Sequence, residues 1–171
     1  MKKTLTILVV LVVLTSLTAC GKSSGTKTFT SENYVFSLTI PQGVEAKTVT
    51  SPNSDTMGLR MKALDGSWSI EAFDNVPPMS PNYVTTQTNL ASQYTLTPIT
   101  VAEAEGYYFV EATANTVEFS ICFPNMTSKD PDAAWGTIWL KVLGHQKDLH
   151  QLDIPELTQI LDSVKKAKPP K

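Results

Sequence analysis

The chain has 171 residues, and its candidate metal ligands match no complete metal-binding motif. His145 and His150 lie five residues apart, with Asp148 between them. A closed zinc site needs four nitrogen or sulfur ligands. We therefore expect two surface histidines and a loop carboxylate here, and we predict no metal and no cofactor.

A second candidate is the acidic sequence Asp130-Pro131-Asp132, which could offer oxygen ligands to calcium. A calcium loop needs further acidic ligands and a glycine at fixed offsets, so a solvated turn is the better prediction. The surrounding segment, residues 124–135, is long for a connection between strands, and loops on a rigid scaffold often carry recognition. Asp130, Asp132 and Trp135 therefore form a candidate interaction loop, with Trp135 either an exposed contact or part of the core.

Cys122 is the main nucleophile candidate in the sequence. It would need a neighbour that stabilises the thiolate and a histidine base. It lies in a predicted strand and shares a face with Ser120 and Glu118, and free cysteine is often simply buried. The sequence shows no Gly-x-Ser-x-Gly elbow and no Gly-rich phosphate loop, whose residue patterns mark common enzyme sites. We therefore predict that the protein is not an enzyme.

The carboxylates along the predicted strands are the remaining acid/base candidates. We expect them to be solvated strand or loop positions and not a catalytic pair. They are Glu103, Glu105, Glu111 and Glu118.

Cys20 has the most specific sequence context in the chain. Lys2 and Lys3 precede an apolar run at residues 5–14, and Leu17-Thr18-Ala19 leads to the cysteine. A positive start, an apolar stretch and small residues at a cleavage point are typical of an export signal, here of the bacterial lipoprotein type. We predict that residues 1–19 are cleaved and that Cys20 carries the lipid. Retention as an anchor helix is the alternative, but residues 5–19 fall short of the about 20 residues that span a bilayer.

The charge balance bears on what the protein binds. The chain has 14 basic and 16 acidic residues, and without Lys2 and Lys3 the formal net charge is −4. This sign argues against nucleic acid and against a broad electrostatic attraction to anionic lipid. We expect attachment to the membrane through the acyl chains on Cys20, on the extracytoplasmic side. With Cys20 acylated, only Cys122 remains, so no intrachain disulfide is expected.

The mature chain has the length of one domain. Residues 20–28 are mostly small and polar, which predicts a flexible tether. Residues 29–168 are predicted to fold as a single domain around one hydrophobic core.

Alternating apolar residues predict an antiparallel sheet. A strand at residues 34–40 ends at Pro41-Gln42-Gly43, and a hairpin turns at Asp65-Gly66. A further hairpin turns at Ala114-Asn115, and a last strand covers residues 136–143, with Trp139 on the face opposite Ile138. Because several strands are apolar on both faces, we expect a sheet that is covered on both sides.

Two segments have helical signals. Ser80-Pro81 predicts an N-cap and a first helical residue, followed by a helix through Ala91. Near the C-terminus, Asp153 and Glu156 have the spacing of a capping box before an apolar stripe. The lysines expected near the end of this helix, where they would complement its dipole, are Lys165, Lys166 and Lys168. The order of elements predicts an α+β fold, a three-layer α/β/α sandwich with a central antiparallel sheet and a C-terminal helix.

Two segments resemble the opening strand and the closing helix of the PsbP-like superfamily. They are Tyr34-Val35-Phe36-Ser37-Leu38-Thr39-Ile40-Pro41-Gln42-Gly43 and Leu157-Thr158-Gln159-Ile160-Leu161-Asp162-Ser163-Val164-Lys165. This superfamily includes the extrinsic photosystem II protein, a Ran-binding nuclear-import factor and many bacterial lipoproteins. The resemblance implies an α/β/α sandwich around an antiparallel sheet and a role in binding or assembling other proteins. It supplies no catalytic motif.

These observations predict a lipid-anchored, non-catalytic module that binds or assembles a protein partner of the cell envelope. The first alternative is a carrier of a small apolar or lipid ligand between the sheet and a helix. Such a carrier would need a cavity of about 300 Å³ or more. The second alternative is an unrecognised hydrolase.

Overall fold

The computed structural model describes residues 27–51, 55–77, 79–101, 103–125, 128, 130 and 132–168. The predicted signal peptide and Cys20 lie outside these residues. Within them the chain is mostly β structure, with ten strands in two antiparallel sheets and two α-helices. None of the described helices has the length and the apolar character needed to cross a membrane.

The larger sheet has seven strands in the order β3-β4-β5-β9-β8-β7-β6, and every neighbouring pair is antiparallel. Its strands are β3 (Glu45–Thr50), β4 (Met57–Lys62), β5 (Trp68–Asn75), β6 (Thr97–Val101), β7 (Ala104–Ala112), β8 (Thr116–Phe123) and β9 (Trp135–Leu143).

The smaller sheet has three strands in the order β1-β2-β10. They are β1 (Lys27–Thr30), β2 (Phe36–Ile40) and β10 (Lys165–Lys166). Lys27 and Thr28, which the sequence places in the tether, are the first residues of β1. The two α-helices are α1 (Tyr83–Ala91) and α2 (Pro155–Asp162), and a short 3₁₀ turn covers Leu149–Gln151.

The predicted hairpins are confirmed. β4 and β5 meet at Asp65-Gly66, where Gly66 has φ +74°, a conformation that glycine adopts without steric cost. β7 and β8 flank Ala114-Asn115, and β9 begins one residue before its predicted start. Turn residues and period-two alternation are local signals, which is why the sequence located these strands.

Both helix starts differ from the predictions. The N-cap of α1 is Asn82 and not Ser80, and its side-chain oxygen accepts the Thr85 N–H at 2.9 Å. α2 begins after Ile154, which has no side-chain cap, so Asp153 does not cap it. Pro155 at the first position supplies a fixed φ without needing a hydrogen-bond acceptor.

The end of α2 also differs. The helix stops at Asp162, and Lys165 and Lys166 pair with Ser37 and Phe36 of β2. These lysines therefore extend the small sheet and do not cap the helix dipole. β3 and β6, the two edge strands of the large sheet, were missed as well. β3 is almost entirely exposed and shows no apolar alternation, whereas β6 alternates only at Ile99 and Val101 and contains Pro98, a residue confined to edge strands.

The main core lies on one face of the large sheet, against β2 and α2. Phe36 and Leu38 of β2 and Leu157 and Ile160 of α2 are 0–1% exposed. The Phe36 ring meets Phe123 of β8 edge-on, with the ring centroids 5.5 Å apart. One layer thus combines a small sheet with a helix.

The opposite face of the large sheet is only partly covered, which corrects the expectation that both faces are covered. A smaller cluster of Tyr107, Cys122 and Trp135 packs there against Tyr83 and Leu90 of α1. No described residue of α1 is fully buried. Because α1 is short, the sheet beyond this cluster is only partly covered, with Trp139 half-buried and Glu111 and Lys141 exposed. The α/β/α arrangement is therefore realised in part.

Candidate functional site

The candidate interaction loop is tied to the start of α1. Trp135 is 5% exposed, and its indole N–H donates a hydrogen bond to the Pro81 carbonyl oxygen at 3.1 Å. Its ring meets Tyr83 at a centroid distance of 5.9 Å. Trp135 is therefore a packing residue and not an exposed contact, so the core alternative is the one the structure supports.

Asp130 and Asp132 of the same loop are exposed. The Asp130 carboxylate accepts the backbone N–H of Asp132 at 3.0 Å, and the Asp132 carboxylate accepts the side-chain amide of Asn82 at 3.2 Å. Both carboxylates thus have local structural contacts, and that of Asp132 lies next to the N-cap of α1.

Cys122 is buried under α1, as expected. Burial raises the pKa of its thiol to about 11, although hydrogen bonds with Tyr107 and Thr137 oppose the shift. Burial also raises the pKa of Tyr107 and Tyr83. Because only the thiolate is nucleophilic, Cys122 is an inert packing residue at neutral pH.

Of the two histidines, His150 contacts a strand of the large sheet. His150 lies edge-on to Tyr108, which pairs with Ile121, whereas Cys122 pairs with Tyr107 on the opposite face. Asp148 accepts the backbone N–H of His150 at 3.0 Å and thereby caps the 3₁₀ turn. Among the residues that the structure describes, no group of three His, Cys, Asp or Glu side chains could hold a metal.

A groove of about 570 Å³ lies on the exposed part of the second face, at the end of α1. Its floor is formed by β5, β9, β8 and β7, and one wall by Leu90, Gln93 and Tyr94. Two hydrogen bonds to the Leu90 carbonyl oxygen, from the Gln93 and Tyr94 N–H groups, end the helix and turn Tyr94 towards the sheet. We call this site the open-face groove. Its floor side chains are Ser69, Glu71, Phe109, Glu111, Glu118, Ser120, Trp139 and Lys141.

Aromatic rings form the centre of the open-face groove. Tyr94 stacks on Phe109 with the ring centroids 4.5 Å apart and an interplanar angle of 27°. Trp139 is half-buried and lies edge-on to the buried Phe73 at 4.7 Å. In the sheet register Trp139 lies between Glu71 and Ser120. A partly exposed indole held by a buried ring is a rigid apolar surface.

Charged side chains border these rings. Lys141 donates to Glu118 at 2.6 Å, and Arg60 pairs with Glu71 at 2.6 Å. Glu111 accepts the Tyr94 hydroxyl at 2.8 Å, and this hydrogen bond, with the charge of Glu111, raises the pKa of Tyr94. The groove therefore combines aromatic surface with fixed charges.

The sequence predictions missed this groove, although one signal pointed to it. The alternation in β9 placed Trp139 opposite Ile138, and Glu118 and Ser120 were assigned to the same face of β8. That signal was interpreted as a face covered by a helix. Locating the groove also requires the strand order, which brings Trp139 beside Ser120.

Comparisons with known proteins concern the fold. No protein-family model matches the chain, and no curated protein is significantly similar to it. A protein of Bacteroides thetaiotaomicron VPI-5482, known from a crystal structure, superimposes with a TM-score of 0.53 and 11% identity over 83% of this chain and 48% of that one. The chain thus spans about half the length of the Bacteroides protein. At this identity the similarity is one of fold alone.

The cyanobacterial PsbP (CyanoP) of Synechocystis sp. PCC 6803, known from a solution structure, is also similar. The match has a TM-score of 0.47 and 9% identity, over 88% of this chain and 99% of that one.

Proposed function

We propose that the protein is a lipid-anchored, extracytoplasmic binding module without catalytic activity, and that its protein partner docks in the open-face groove. The observation that carries this proposal is the half-buried Trp139 at the centre of a groove of about 570 Å³. Ligand sites commonly measure about 300–1,000 Å³ and are lined by aromatic side chains with a few polar groups.

The residue types in the groove support a protein partner. Tryptophan, tyrosine and arginine dominate the binding energy of protein interfaces, where they occupy central, desolvated positions. Trp139 has such a central position, with Tyr94 and Phe109 beside it and the Lys141–Glu118 and Arg60–Glu71 pairs around it. A partner surface could therefore cover an apolar centre and leave a charged rim in water.

The membrane anchor is proposed from the sequence. The signal-like residues 1–19 and Cys20 supply it, and the domain that follows begins with β1 at Lys27. Two acyl chains on Cys20 would hold the protein stably at a membrane surface.

We also propose that the fold is a variant of the PsbP-like α/β/α sandwich. The large sheet lies between a layer of α2 with the small sheet and a second layer formed by α1. The variation lies in the second layer, which leaves the open-face groove uncovered.

The proposal of a non-catalytic role rests on the chemistry of the candidates. The thiol of Cys122 is protonated at neutral pH because burial raises its pKa to about 11. His150 contacts the opposite face of the sheet. A nucleophile and a base in reach of each other are the minimum for covalent catalysis, and these two residues do not supply them.

A carrier of an apolar ligand has less support. The cleft between α2 and the sheet, lined by Val101, Leu149 and Leu161, measures about 220 Å³, below the size of a usual ligand pocket. In the larger open-face groove, an apolar ligand would remove Glu118 and Lys141 from water without giving them new hydrogen bonds, which is unfavourable.

Site-specific photo-crosslinking in the native cell tests the proposed function. A photo-reactive residue is placed at Gln93 on the groove wall and, as a matched control, at the exposed Lys147. We expect a protein adduct from position 93 that is absent from position 147 and that disappears in the Trp139→Ala background. Adducts that are the same at both positions, or unchanged by Trp139→Ala, would contradict docking in the groove.

A further inference from the structure

The charges in the open-face groove are not balanced. In the sheet register Glu111 lies opposite Glu118, and Glu118 lies opposite Lys141. Lys141 pairs with Glu118, whereas Glu111 has no ion-pair partner among the described residues. Like charges directly opposite in a sheet are destabilising. Of the two neighbouring carboxylates, only that of Glu118 is paired with an ammonium group.

The side chains of the open-face groove carry a net negative charge. Three carboxylates and one ammonium group line it, and the pairing of Glu71 with Arg60 leaves a balance of −1. The aromatic rings add to this, because the faces of indole and phenol rings carry partial negative charge. Both features favour a cation over an anion or a neutral group.

We propose that the segment docking in the open-face groove presents an arginine side chain, which stacks on Trp139 and pairs with the Glu111–Glu118 carboxylates. This inference rests on the proposed function and names the chemistry of its partner. In the register Trp139 is the diagonal neighbour of Glu118, since Glu118 pairs with Lys141 two residues along β9. Diagonal positions are about 7–8 Å apart, within reach of long side chains.

The groove favours arginine over lysine for a geometric reason. A guanidinium group is planar, stacks on aromatic faces and donates several hydrogen bonds in its plane to carboxylates. A lysine ammonium group is more strongly hydrated and has no flat surface to stack. The aromatic centre and the acidic border of the groove offer both kinds of contact at once. Apolar residues next to the arginine would cover the Tyr94–Phe109 stack.

The test is an NMR titration of the full chain in non-ionic detergent with a blocked peptide, Ac-Ala-Leu-Arg-Leu-Ala-NH₂. The matched peptide has citrulline in place of arginine, which keeps the shape and removes the charge. A third peptide has lysine. We expect shifts at the Trp139 indole N–H and at Glu111 and Glu118, with affinity falling about tenfold, equivalent to about 1.4 kcal/mol, for citrulline. The affinity of the lysine peptide should lie between those of the arginine and the citrulline peptides.

Variants of the protein locate the effect. Glu118→Gln and Glu111→Gln are each expected to weaken binding of the arginine peptide about 3- to 10-fold and to reduce its salt dependence. Glu105→Gln is the matched control, because Glu105 is an exposed glutamate of β7, the strand that contains Glu111, and lies outside this groove. It should leave binding unchanged. The glutamine variants keep the test meaningful even if Trp139→Ala perturbs folding.

The outcomes separate this inference from the proposed function. Equal binding of the arginine and citrulline peptides, or equal effects of Glu105→Gln and Glu118→Gln, would overturn the arginine assignment. No binding of any peptide, with groove-dependent adducts in cells, would overturn the arginine assignment and leave the proposed function standing. Loss of both the adducts and the peptide binding would overturn the two together.

Discussion

Glu111 of β7 lies directly opposite Glu118 of β8, so that two carboxylates face each other on the exposed side of the large sheet. Lys141 pairs with Glu118 only, at 2.6 Å. Proteins tolerate such unfavourable local arrangements at functional sites more often than elsewhere. The pair therefore has consequences for stability as well as for binding.

Removing one of the two charges should stabilise the free protein. We expect Glu111→Gln to raise the free energy of unfolding by about 0.2–1 kcal/mol, because it removes a cross-strand repulsion. A glutamine oxygen can still accept the Tyr94 hydroxyl. Urea unfolding at low and high salt measures the effect, which should shrink as salt screens the repulsion. A loss of stability at low salt, or the same gain from Glu105→Gln, would contradict this explanation.

Trp135→Ala should destabilise the protein by about 3–5 kcal/mol, the usual cost of removing a large buried aromatic side chain. Trp135 fills the space between β9 and α1 and binds the Pro81 carbonyl oxygen. Trp139→Ala is the matched comparison in the same strand, and its loss should be clearly smaller because that ring is half-buried. Thermal and urea unfolding of both variants test this. Similar losses for the two would show that Trp135 is not the packing residue described.

Cys122 should be almost unreactive in the folded protein. Its thiol pKa is raised to about 11 by burial, so the native state holds the proton more tightly than the unfolded chain. Stability linked to this group is therefore lost as the pH rises from about 9 towards 11. In the Cys20→Ser variant, alkylation by iodoacetamide should be slow at pH 8 and fast after unfolding in urea. Rapid alkylation of the folded protein at pH 8 would disprove this.

Asp74 should make stability fall as the pH rises above about 4. Burial raises the pKa of this carboxyl, although the Asn33 N–H, which donates to Oδ2 at 2.7 Å, opposes the shift. The folded state therefore binds the Asp74 proton more tightly than the unfolded state, and this contribution is lost as the pH passes the folded pKa. Asp74→Asn, which keeps an acceptor for Asn33, should gain stability relative to wild type between pH 4 and 7. If the wild type instead became more stable than Asp74→Asn as the pH rises, the pKa of Asp74 would be lowered by folding and not raised.

Cys20 is predicted to carry the lipid. Cells expressing the wild type should incorporate labelled palmitate into the protein and retain it in the membrane fraction, whereas Cys20→Ser should lose the label. Cys122→Ser is the matched control for the second cysteine and should keep it. Label that persists in Cys20→Ser would place the lipid elsewhere.

Much of the β structure could be predicted because its signals are local. Period-two alternation and the Asp65-Gly66 turn located β4 and β5, and Ala114-Asn115 located β7 and β8. The edge strands β3 and β6 could not be found this way. The exposed side chains of β3 lack the apolar pattern that burial imposes, and in β6 the alternation is limited to Ile99 and Val101, beside a proline. The helix starts were misplaced because capping signals are ambiguous. Ser80 and Asn82 are both good N-cap residues before α1, and α2 begins at Pro155 without any side-chain cap.

The two tryptophans of β9 separate what the sequence determined from what the tertiary structure decided. The sequence placed Trp139 in a strand at residues 136–143 and left Trp135 at the end of the preceding loop. β9 begins at Trp135 in the structure, so the two side chains, four residues apart, lie on the same face of one strand. The sequence could not determine which of them is buried, because that depends on where α1, distant in the chain, crosses the sheet. Packing of Tyr83 and Leu90 over the Trp135 end buries that ring, and the short helix ends before it reaches Trp139. The tertiary structure alone thus made one tryptophan a core residue and left the other at the centre of an open groove.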